Sequence, residues 1–86
     1  MTPNMHGPEK GKIEGILAIT NTQPTEVRLT LEPWADEHVM APGKTVEVSY
    51  SGPSGGRMEI ELKPGEVILY GWEGSVLSVR DGGNPS

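Results

Sequence analysis

The sequence predicts an all-β domain: a small antiparallel sandwich or barrel of six to seven short strands in a Greek key. Three observations carry this expectation. Apolar and polar residues alternate with period two in three separate segments, the spacing that sends successive side chains to opposite faces of a strand. The 86 residues include 12 glycines and 8 prolines, which suit short strands joined by many turns. No window holds an apolar stripe at helical spacing, because glycine or proline interrupts each candidate, so helix content is expected to be near zero.

Taken in order, residues 1–12 carry glycine, proline and mixed charge with only methionine as a large apolar residue before Gly11. Such a segment cannot offset its ordering entropy through its own contacts, and it is predicted to be a flexible arm. A single β domain is expected over residues 13–81. IEGILAIT (13–20) is apolar on both sides of the alternation and reads as a strand buried on both faces or packed against a partner. EVRLTLE (26–32) places Val27, Leu29 and Leu31 on one face, and KTVEVSY (44–50) does the same with Val46, Val48 and Tyr50. RMEIELK (57–63) follows suit with Met58, Ile60 and Leu62. The glycine-rich run SYSGPSGGR between the last two reads as the tip of a hairpin joining them. LEPWADEHVMAPG (31–43) reads as a crossing segment or a short seventh strand, with Trp34 closing one end of the domain. APGK (41–44) and KPGE (63–66) put Pro then Gly at the central positions of a type II turn, and each opens a strand. EVILYGW (66–72) is apolar on both faces, and SVLSVRD (75–81) leans on Leu77 and Val79 or on Val76. The last residues, 82–86, are predicted to fray.

Composition narrows the function. With no cysteine there is no disulfide framework, thiolate metal site or cysteine nucleophile, and in so small a chain this points to a reducing compartment such as the cytoplasm, or a virion assembled there. A net charge of −5 repels a nucleic-acid backbone. No apolar run approaches the roughly 20 residues that span a bilayer, and the N-terminus lacks the apolar core of a signal peptide. The glycine-rich run is not followed by a helix that would offer its amides to phosphate.

Asp36, His38 and Met40 fall on one face if their segment is extended, and histidine with methionine or carboxylate suits copper or zinc. Ligands from one strand do not make a site that needs three or four converging groups, so no cofactor is expected. Nor does a catalytic set assemble: one histidine at most lies in the ordered part, and Glu47, Glu59 and Glu61 occupy regular solvent-facing positions. The aromatic residues are Trp34, Trp72, Tyr50 and Tyr70. Ile68, Tyr70 and Trp72, if exposed on a strand apolar on both faces, form a patch of the kind that marks an interface.

The stretches LEPWADEHVMAPGKTVEV, GPSGGRMEIEL and YGWEGSVLSV resemble small β-domain proteins of bacteria and phages that share an LEPW, then PG, then GW pattern over residues 15–81. That resemblance implies no activity and no catalytic residues. The strand pair followed by PG-x-x-V-x-V is also similar to cupredoxins and bacterial immunoglobulin-like modules, in fold only, since the copper-holding cysteine and a second ordered histidine are missing. The expectation is therefore a non-enzymatic domain that acts through protein contacts, as a homo-oligomer or within a larger assembly. An alternative is a carbohydrate-type ligand module that uses an exposed tryptophan, with metal binding by His38 and Met40 more remote.

Overall fold

Each alternating segment becomes a strand in the computed structural model, which describes residues 11–80. The predicted arm and tail lie outside the described residues, except that Gly11 precedes the first strand and Lys12 opens it. The strands are β1 (Lys12–Thr20), β2 (Val27–Glu32), β3 (Asp36–Met40), β4 (Thr45–Pro53), β5 (Glu59–Lys63), β6 (Glu66–Tyr70) and β7 (Val76–Arg80), with no helix among the described residues. They form a β-sandwich of a three-stranded sheet, β1-β4-β7, and a four-stranded sheet, β3-β2-β6-β5.

The predicted inward rows of β2 and β4 supply much of the core. Leu29 and Leu31 of β2, Met40 of β3, Val46 and Val48 of β4, Leu69 of β6 and Leu77 of β7 pack between the sheets. Burying a side chain of this kind contributes about 1.5 to 3 kcal/mol. Of the two choices for β7, Leu77 and Val79 face inward, and Val76 faces out. Both Pro-Gly turns form as expected: Gly43 and Gly65 have φ of 83° and 74°, and Lys44 N–H donates to Ala41 O at 3.0 Å.

Three expectations are corrected. β4 and β5 are not a hairpin, because they belong to different sheets. β4 runs on to Pro53 beside β1, Ser54 N–H then donates to Gly11 O at 2.8 Å, and the glycine run carries the chain across to the other sheet. The glycines serve the Trp72 ring, which packs on Gly52 and Gly56 where any Cβ would collide with it. The sandwich is also not wholly antiparallel, since β2 pairs with β6 in parallel from Arg28 opposite Glu66 to Glu32 opposite Tyr70. Finally, β1 is not buried on both faces: Leu17 and Ile19 are half-buried on the core side, while Ile13 and Ile16 are exposed.

Asn21, which no motif signalled, ties three elements together just after β1. Its buried side-chain amide donates to Thr25 O and Met40 O, both at 2.9 Å, while Oδ1 accepts from Gln23 N–H at 2.8 Å. Its backbone N–H donates to Lys44 O and its carbonyl accepts from Gly43 N–H. A buried polar side chain with every group bonded holds one geometry, because each alternative leaves a group unsatisfied.

Candidate functional site

The residues that stood out in the sequence do not converge. Trp34 sits in the β2–β3 connection, after a cis Glu32–Pro33 bond and before Ala35, whose φ is 57°. It is 44% exposed, and its outer ring edge lies against Gly71 at the end of the sandwich. Trp72 is half-buried at the same end of β6. Its Nε1–H donates to Pro53 O at 2.8 Å, and its ring meets Tyr50 edge-on with centroids 6.5 Å apart. Trp72 is thus pinned by its own chain, which leaves Trp34 as the tryptophan with a broad face toward solvent.

The patch expected at Ile68, Tyr70 and Trp72 is not formed. Ile68 is buried although it lies on the outer face of the four-stranded sheet. The register sets it in a row of Glu37, Thr30, Ile68 and Glu61, flanked by Arg28, Glu66 and Lys63 on one side and Glu32, Tyr70 and Glu59 on the other. The stems of such long polar side chains cover apolar surface while their ends stay wet. The Tyr70 hydroxyl donates to Glu61 Oε1 at 2.7 Å. This bond to an acceptor that favours the protonated phenol raises the Tyr70 pKa above its ordinary 10.0, with the nearby Glu61, Glu32 and Glu59 charges adding to the effect.

Asp36, His38 and Met40 do share a face of β3, as the alternation required. His38 Nε2 lies 3.1 Å from Asp36 Oδ2 at the sheet edge, but Met40 is buried in the core, so its sulfur is a packing group and not a ligand beside them. Among the described residues no three His, Cys, Asp or Glu side chains gather as metal ligands would.

Exposed apolar groups collect on a different flank. On the core face of the four-stranded sheet, Ile60 is the register partner of Leu69 and Leu62 that of Val67. Leu69 is buried, whereas Ile60 is 53% and Leu62 75% exposed. The cause is sheet width: with strands about 4.8 Å apart, three strands cannot cover four, and β5 is the one left uncovered. Ser54, on the way from β4 to β5, is bonded to Gly11 at the head of β1. At the other edge of that sheet, Leu77 and Trp34 both approach Gly71.

β1 is itself an open edge. It pairs with β4 on one side along its full length, and no described strand borders the other. Its outward face continues into a shallow depression of about 460 Å³ lined by Ile16 and Val76 around the small residues Ser49, Ser51 and Ser78. On its inner face the Tyr50 ring lies directly on Gly15, where a side chain would clash. The surviving signal in the sequence was that IEGILAIT is too apolar for an ordinary edge. The Ile60 and Leu62 gap had no such signal, since it depends on how many strands each sheet receives.

No protein-family model matches the chain, and neither a curated protein nor a solved structure is significantly similar to it.

Proposed function

We propose that this is a non-enzymatic β-domain that works through protein contacts made by the open edge of β1 and the uncovered row on β5, as a homo-oligomer or a component of a larger assembly. The observations that support this reading are the uncovered apolar row of Ile60 and Leu62 and, in the other sheet, an apolar edge strand that is unpaired on one side among the described residues. Apolar side chains on a core face gain from being covered, and the chain's own three-stranded sheet is one strand too narrow to do it.

Sedimentation velocity across micromolar concentrations tests the reading. The wild-type chain is expected to sediment as more than one copy, and the double variant Ile60→Ser/Leu62→Ser to shift toward the single chain. A strict monomer at every concentration, or an assembly indifferent to the double variant, overturns it.

A further inference from the structure

We infer that the partner at the open edge of β1 is a second copy of the chain, joined by antiparallel pairing of β1 with itself about Ile16. The inference rests on the contact reading above and adds the occupant, the strand and the register.

Among the described residues, one set of β1 backbone groups has no partner strand. In an antiparallel ladder, alternate residues direct both N–H and C=O to the same neighbour. At the two ends of the β1–β4 pairing, Asn21 N–H donates to Lys44 O and Gly11 O accepts from Ser54 N–H, so the odd-numbered residues of β1 are the ones turned toward β4. Lys12, Glu14, Ile16, Ala18 and Thr20 therefore turn their backbone groups to the open edge. A two-fold axis through Ile16 sets Lys12 opposite Thr20, Glu14 opposite Ala18 and Ile16 opposite Ile16 of the partner subunit, so every free amide of the nine-residue strand is matched. Shifting the axis by one residue either way shortens the overlap at both ends, and centring it on Glu14 brings two carboxylates face to face. In the Ile16 register no charge meets a like charge, since Lys12 and Glu14 are the only charged residues of β1 and both lie opposite uncharged ones.

The same operation widens the three-stranded sheet, since the second β1 adds to its open edge with Ile13, Leu17 and Ile19 turned to the core face. Ile16, 59% exposed in the single chain, is covered by its own copy. Of the other described edges, β7 offers five residues against the nine of β1, and the two edges of the four-stranded sheet are charged. β3 and β5 carry Asp36 and Glu37 or Glu59, Glu61 and Lys63 within five residues, and charges on short strands are how proteins keep an edge from pairing.

The chain has no cysteine, so Ile16→Cys gives one thiol per copy. Directly opposed Cα atoms in a bonded antiparallel pair are about 5.5 Å apart, within the roughly 4.4 to 6.8 Å that a disulfide spans. Under mild oxidation at micromolar concentration, Ile16→Cys is expected to give a covalent dimer, while Val76→Cys, equally exposed on the same sheet face, is expected to give at least tenfold less. Ala18→Pro removes an N–H that β4 does not use, so it is expected to leave the fold intact by circular dichroism and to weaken the dimer at least tenfold in sedimentation. Should Ala18→Pro fail to fold, the cross-link decides alone. A dimer that survives Ala18→Pro and yields no 16–16 link overturns the pairing and leaves the contact reading standing, whereas a strict monomer overturns both.

Discussion

Leu69 and Ile60 sit side by side on the same face of the same sheet, one strand apart, and their fates differ completely. Leu69 is fully buried, and Ile60 is more than half exposed. Ile60 belongs to a segment whose alternation marks it as core, and Leu69 to one that is apolar on both faces. The difference teaches that alternation selects a face, while the opposing sheet decides whether that face is covered. A three-stranded layer over a four-stranded one must leave a row of core-type side chains open, and here that row lies on β5.

The contrast breaks most severely at its buried end. Leu69→Ala is expected to cost about 2 to 5 kcal/mol in denaturant unfolding, since the closed part of the sandwich cannot collapse around the lost volume. Asn21→Ala tests what holds the closed end in register. It strips the donors from Thr25 O and Met40 O and the acceptor from Gln23 N–H, for an expected loss of about 1 to 3 kcal/mol by the same measurement.

Thr30→Val asks whether the polar cover over the outer face needs a hydroxyl beneath it. Thr30 Oγ1 is buried with no partner beside Ile68, so removing it is expected to leave stability unchanged or raise it by up to about 1 kcal/mol. At the open end, Leu62→Ser in dilute, monomeric protein is expected to change stability by no more than about 0.5 kcal/mol. A cost equal to that of Leu69→Ala would mean that the row is covered and that the contrast is false.

The smallest expected effect is alkaline. Because Glu61 raises the Tyr70 pKa above its unfolded 10.0, this bond contributes in full below pH 10 and is lost as pH rises through the folded value. Tyr70→Phe should flatten that part of the stability–pH curve above pH 10 and leave the neutral region unaffected in slope.

Much of the fold was legible because it depends on local chemistry. The period-two rows of Val27, Leu29 and Leu31 and of Val46 and Val48 need only a strand and one apolar side, and the Pro-Gly pairs at 42–43 and 64–65 need only a turn with positive φ. Less of the candidate site was legible. Ile68 looked like an interface residue because it is apolar on the second face of its strand, yet neighbouring charged side chains cover it, an arrangement created by pairing with β2 and β5. Met40 looked like a ligand because it shares a face with His38, yet that face turns into the core at its end.

By itself, the sequence determined the all-β class, the inward rows of β2, β4 and β5, the absence of thiol chemistry and the two Pro-Gly turns, since these follow from residue type and spacing within a few positions. The tertiary structure alone decided that β4 and β5 part into different sheets, that β2 runs parallel to β6, and that Trp72 is held by Pro53 while Ile60 and Leu62 stay open. Those outcomes depend on which strands become neighbours and on how many each sheet holds, and such choices are made between residues far apart in the chain.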